Sequence, residues 1–239
     1  MKNPLRKRFF RELREEIGKY LVVFILMTAT IGFVSGFLVA DGSMLTAYNN
    51  SFQKYNIEDG KFETEEKIYK NQQEDIEKKG VTLYENFYVE KVLLNGTTLR
   101  IFKNRTKVDK VCLMKGKLPE KTGEIAIDRM YADNNKLSVG DSLQSGKRKW
   151  KITGLVALSD YSALFQNNND TMFDAVKFGA AVVTEEEFSS FNQSQLVYNY
   201  AWTYTHKPKT EAQEKKKSED FMEELSKELT KRMAKDLRT

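Results

Sequence analysis

The stretch YLVVFILMTATIGFVSGFLVA, Tyr20 to Ala40, carries no charge, and Lys19 and Asp41 bracket it. As a helix its residues span roughly 31 Å, about the thickness of a bilayer's hydrocarbon core. A basic cluster precedes it, so the reading is one transmembrane helix with the N-terminus in the cytoplasm and residues 41–239 extracytoplasmic. A cleaved secretion signal is the rival reading. Its apolar region would be shorter and would end on a small-x-small site. Here the best site, Leu38-Val39-Ala40, opens on a bulky residue, which favours an uncleaved anchor.

Working outward, Leu5, Phe9, Leu13 and Ile17 recur every four residues with Arg and Lys between them. That pattern reads as an amphipathic helix at the inner membrane surface, with Arg6, Arg8, Phe9, Arg11 and Leu13 against lipid. Within the span, Gly32-x-x-x-Gly36 with Ser35 offers a small-residue groove for a second transmembrane helix. The competing reading is that glycine is simply frequent in such helices.

The chain has a net charge of +5, unevenly spread. Residues 1–40 hold seven basic and three acidic residues, which leaves 32 of the 39 basic and 31 of the 34 acidic groups beyond them. The distal part is thus near neutral, so the overall positive charge gives no sign of the basic face that nucleic acid requires, and no nucleic-acid partner is expected. One cysteine, Cys112, excludes an intramolecular disulfide.

Beyond the span, apolar spacing at Met44, Leu45, Tyr48, Phe52 and Tyr55 continues the helix outward. A short strand is expected over Glu58–Thr64, then a helix over Glu65–Lys79 capped by Thr64. Val81–Leu94 and Thr97–Phe102 flank Asn95-Gly96, a strong hairpin signal. Further strands are read at Val108–Met114, Glu124–Asp128 and Ala180–Val183, a short helix at Arg129–Asn134, and a second hairpin through Ser145-Gly146. Thr184 caps a helix opening on three glutamates, and Leu196–Thr205 is the last strand. Thr210–Arg238 reads as a charged helix whose stripe, Phe221, Leu225, Leu229, Met233 and Leu237, docks on the β-rich core or on a missing part of a longer chain.

No catalytic set emerges. Gly140 to Gly146 fails as a phosphate loop, with five intervening residues and Arg148 where Ser or Thr is needed. His206, the single histidine, and Cys112 cannot build a zinc site between them. Asn167–Asn169 with Asp170 and Asp174 lacks the glycine and terminal glutamate of a calcium loop. No enzyme activity, cofactor or metal is expected.

Four signatures then fall in order: Lys115-Gly-Lys-Leu-Pro119, Gly123-Glu-Ile-Ala-Ile127, Leu137-Ser-Val-Gly-Asp141 and Trp150-Lys-Ile-Thr-Gly154. With the basic lead and single span, the chain resembles the N-terminal part of an FtsX-like ABC transporter permease of the MacB type. The resemblance covers most of residues 1–205. It implies an α+β fold: one transmembrane helix, then a mixed αβ domain like the MacB periplasmic core. A porter-like part would take 41–80 and 180–239, and a β-rich part 81–179, after a cytoplasmic helix at 1–19 and the span at 20–40. It also implies a separate cytoplasmic ABC ATPase, and further permease helices or a second permease, as partners. Export or mechanotransmission of lipid, lipoprotein or peptide would be the activity. Such permeases carry three more membrane helices, so this chain reads as a piece of a longer one. The alternative from another class is a single-span surface receptor without transport.

Overall fold

The computed structural model describes residues 14–161, 164–166 and 170–236, with backbone alone at 211 and 229–236. The chain divides into two units, Met1–Phe52 and Gln53–Thr239.

Helix α1, Ile17–Tyr55, makes up most of the described first unit. It is long and apolar enough to cross a membrane, and none of its apolar window is buried within the protein. The hydroxyls inside that window cost little in an apolar setting. Thr28 and Thr30 each donate to the carbonyl one turn back, Phe24 and Leu26, at 2.8 Å. Arg6, Arg8, Phe9, Arg11 and Leu13 lie outside the described residues.

In the second unit, ten strands form one mixed sheet among the described residues. They are β1 (Gly60–Thr64), β2 (Val81–Glu85), β3 (Tyr88–Val92), β4 (Thr98–Lys103), β5 (Cys112–Gly116), β6 (Glu124–Asp128), β7 (Ser142–Ser145), β8 (Arg148–Ala157), β9 (Phe178–Val183) and β10 (Leu196–Tyr204). Strand β10 serves two neighbourhoods. Its C-terminal part pairs antiparallel with β1 and β2, and its first two residues pair with β3. From β3 the order continues β4-β9-β6-β8-β5, with β7 on β8.

Two apolar clusters follow from that division. One gathers Leu99, Ile101, Ile127, Trp150, Ile152, Phe178 and their neighbours. The other gathers Phe62, Ile76, Leu83, Tyr200, Trp202, Phe221 and Leu225 under α5 (Glu211–Asp236). The Phe221 ring lies 4.9 Å from that of Trp202, so the predicted stripe docks through its first two residues. Gly60 is required beneath this contact, since a Cβ there would approach Trp202 to 2.5 Å.

The buried Glu187 on α4 (Glu185–Ser189), the helix after α3 (Arg129–Asn134), joins distant parts of the first cluster. Its carboxylate accepts from Arg148 at 2.9 Å, from the Trp150 indole at 2.9 Å and from the Gly123 amide at 3.0 Å. Thr184 caps this helix by accepting from the Glu187 amide, as its sequence indicated.

The four signatures build one interlocked unit. Gly116 and Gly154 pair across β5 and β8, and a Cβ on either would strike the opposite backbone, at 2.3 Å and 2.4 Å respectively. The Glu124 carboxylate accepts from the amides of Glu120 and Lys121, and that of Asp141 accepts from Ser138. Each acid thus closes the turn beside it. Lys117, Gly140 and Lys151 donate their amides to Thr153, Ile152 and Gly123 carbonyls.

Three expectations are corrected. The first distal helix is α2, Lys70–Glu77, not Glu65–Lys79. Ile68 is drawn into the second cluster and its amide goes to the Tyr200 hydroxyl, so residues 65–69 stay out of the helix. Strand β5 starts at Cys112, not Val108, because Asp109 has φ +47° and its amide goes to the Asn56 carbonyl. Val81–Leu94 is broken into β2 and β3 at Asn86-Phe87.

Leu225→Ala should therefore cost about 2–5 kcal/mol of stability, whereas Met222→Ala, three residues earlier on the exposed face, should leave the melting temperature nearly unchanged. Equal effects in a thermal melt would show that α5 does not dock by this stripe.

Candidate functional site

Helix α1 stops where Asn56 adopts φ +48°, a left-handed conformation that asparagine tolerates better than most residues. The next residues are then held by the segment that follows β4. Lys110 and Asp109 donate their amides to the Tyr55 and Asn56 carbonyls at 2.8 Å and 3.0 Å. The Asn56 side chain donates to the Lys107 carbonyl at 2.8 Å. The Tyr55 hydroxyl donates to the Cys112 sulfur at 2.9 Å, so this cysteine is half-buried and partnered.

Behind this seam lies a buried charge cluster. Glu58, Asp109 and Asp160 come from three segments, and an oxygen of each lies within 4.8 Å of the others. Arg105 grips Asp160 through two parallel bonds of 2.8 Å and 2.7 Å, with both side chains almost wholly buried. Its guanidinium also lies over the Phe102 ring at 4.7 Å. The Asp109 carboxylate accepts from the Glu58 amide at 2.9 Å and from the Asn86 side chain at 3.3 Å.

Asn86 is the hinge of the arrangement. It sits where β2 gives way to β3, and its backbone exchanges hydrogen bonds with Asn199 on β10. The cluster therefore stands at the joint between the two parts of the sheet.

The electrostatics follow from burial. Glu58 is pushed up to about 9, first by burial, then by the charges of Asp109 and Asp160, against Lys61. Asp109 is raised by burial and by Asp160, against the opposing Arg105. Burial alone would lower Arg105, but the charge and hydrogen bonds of Asp160 outweigh it and hold the guanidinium above its ordinary value.

As a cation site the cluster fits poorly. Both Asp160 oxygens are taken by Arg105 and both Asp109 oxygens by other donors. Beside it lies a cavity of about 110 Å³ lined by Lys61, Glu63, Arg100, Asp160, Tyr161 and Asn199 among others. It is large enough to admit water.

Of the residues singled out from sequence, Gly32, Ser35 and Gly36 lie exposed on α1, and a Cβ at either glycine would meet no atom. The Gly140–Gly146 segment forms the turn leading into β7 and the β7–β8 hairpin. His206 follows β10, and its carbonyl accepts from Lys217. Asp174 accepts from the amides of Val176 and Lys177, while 167–169 lie outside the described residues. The charge cluster was missed because its members sit 51 positions or more apart, Glu58 from Asp109 and Asp109 from Asp160. The available signals were Arg105 and Asp109 one helical turn apart in a stretch that is not a helix, and Asn56 where a cap should fall.

No protein-family model and no curated protein sequence matches the chain. Among solved structures it is similar to the periplasmic region of MacB from Actinobacillus actinomycetemcomitans, at 11% identity and a TM-score of 0.37, over 64% of this chain and 72% of that one. It is also similar to the extracellular domain of the noncanonic ABC-type transporter YknZ from Gram-positive bacteria, at 11% identity and a TM-score of 0.37, over 66% and 88% of the two chains.

Asp160→Ala should leave Arg105 buried without its partner and cost about 3–5 kcal/mol. Chemical denaturation measures it, and a loss below about 1 kcal/mol would mean that the pair is solvated.

Proposed function

We propose that this chain is the membrane-anchored N-terminal part of an ABC transporter permease subunit, without catalytic activity of its own. In this reading 1–19 lie at the cytoplasmic membrane surface, 20–40 span the bilayer, and 41–239 are extracytoplasmic. ATP would be hydrolysed by a separate cytoplasmic ABC ATPase. Gly32, Ser35 and Gly36 would pack against another membrane helix, from the same permease or a second one, and Arg6, Arg8, Phe9, Arg11 and Leu13 would rest on lipid.

The observation that carries the reading is the coherence of the four signatures. Here Lys115–Pro119, Gly123–Ile127, Leu137–Asp141 and Trp150–Gly154 meet backbone to backbone in one unit. Their glycines and acids each perform a turn-closing or close-packing task.

The chain supplies what a transmitter needs. An apolar segment suited to a bilayer is followed in sequence by the seam at Tyr55–Glu58, which is fastened to the loop after β4 by hydrogen bonds and set beside Asp160 by buried charge. A force reaching this seam would act on the joint at Asn86 and Asn199 rather than on a loose linker. The substrate class we infer is lipid, lipoprotein or peptide. A single-span receptor would share the anchor but would have no ATPase at residues 1–19.

Thiol labelling tests the topology. In a Cys112→Ser background, a membrane-impermeant maleimide applied to intact cells should label Ser51→Cys and spare Lys2→Cys, and the reverse pattern contradicts the reading. A photo-crosslinker at Arg8 or Arg11, in the source cells, should then capture a nucleotide-binding ABC subunit; recovery of lipid alone would favour the receptor.

A further inference from the structure

The hydrogen-bond and charge accounting at the Glu58–Asp109–Asp160 cluster does not close with the groups present. Three carboxylates face two cations, Arg105 and Lys61, whose ammonium stands 3.8 Å from Glu58 Oε1. One negative charge is left without a partner in a region mostly shielded from water. The other omission is local. Glu58 Oε2 is buried with no hydrogen-bond partner, although its side chain is only 10% exposed. Such an atom is expensive to bury unless something further binds it.

We propose that the missing ligand is a proton: Glu58 is held as a neutral carboxylic acid shared with Asp109, and its ionisation loosens the seam at residues 55–59 from the rest of the domain. A protonated Glu58 removes the excess charge and supplies a donor to a neighbouring carboxylate. A divalent cation would have to share the Asp160 oxygens with the Arg105 guanidinium, which already bonds to both.

The charged and titratable groups that face Glu58 agree with this. Lys61 on β1 opposes proton uptake, and Asp109 and Asp160, from the segments after β4 and β8, favour it. Arg105 acts on it indirectly by holding both aspartates. Tyr161 lies beneath Lys61, with the ammonium 5.4 Å from its ring. The adjoining cavity, which Asp160 and Lys61 also line, gives water and protons a route in.

The sign of the effect is fixed. A carboxyl group whose folded-state pKa is raised contributes stability that is complete below its ordinary pKa and is lost as pH rises toward the folded value. For Glu58 that window runs from mildly acidic pH up to about 9. The seam is therefore tightest in mildly acidic surroundings and loosens toward alkaline pH. This inference does not depend on the transport reading, and it applies equally if the chain is a receptor.

The test uses the whole chain in detergent micelles, with melting temperature recorded from pH 5 to 9. The wild type should lose several degrees across that range, and Glu58→Gln, a neutral isostere, should lose little and melt higher than wild type at pH 8. At pH 8 the single thiol, Cys112, should also react several-fold faster with an aromatic disulfide reagent in the wild type than in Glu58→Gln, because Tyr55 covers it only while the seam is closed. A wild-type melting temperature that is flat or rising with pH, or a Glu58→Gln profile parallel to it, overturns the proposal. So do equal thiol rates. A rise in the wild-type melting temperature on adding calcium chloride at pH 8, reversed by EDTA and absent in Glu58→Gln, would identify a cation as the ligand instead.

Discussion

The bidentate pair of Arg105 and Asp160 is the constraint on which the joint of this domain depends. Both partners are buried, so neither can be removed without stranding the other's charge. The pair fixes the loop after β4 against the segment after β8, and through Asp109 it fixes both to Glu58 and Asn86. A salt bridge of this kind contributes little net stability compared with apolar packing. What it supplies is geometric specificity, because a planar guanidinium meets a carboxylate in one arrangement.

That specificity is needed because the sheet is long and served by two cores. Strand β10 carries β1 and β2 along its C-terminal part and β3 at its start, so the two cores share this strand and Phe87, which packs against both. At the crossing point the Asn86 amide donates to the Asn199 carbonyl, and the Asn199 side chain donates back to the Asn86 carbonyl. Two left-handed residues, Asn56 and Asp109, meet there as well. Non-glycine residues in that conformation persist only where surrounding contacts hold them. Here the Asp109 amide on the Asn56 carbonyl and the Glu58 amide on the Asp109 carboxylate provide those contacts.

Much of the fold was legible because its signals are local. Asn95-Gly96 and Ser145-Gly146 each specify a tight turn, and both hairpins form there. Thr184 with three following glutamates specifies a helix start. The first distal helix was misread because Thr64 is a good cap by type, whereas burial of Ile68 overrides it from a distance. Nothing in the sequence marks Glu187 as the partner of the Trp150 indole, since 37 residues separate them. The candidate site was illegible for the same reason. Buried ion clusters are assembled by topology, and neither periodicity nor spacing records which loops a sheet will bring together.

The account's central claim is that the residues following α1 belong to the rigid part of the domain. Hydrogen–deuterium exchange on the whole chain in detergent, followed in peptides covering 55–62, tests it most directly. The account predicts protection comparable to that of β10, from the amides of Glu58, Asp59 and strand β1, which donate to Asp109, Trp202 and the β10 backbone. Exchange of this segment within seconds, beside a protected β10, would mean that the seam is a flexible linker and would contradict the account.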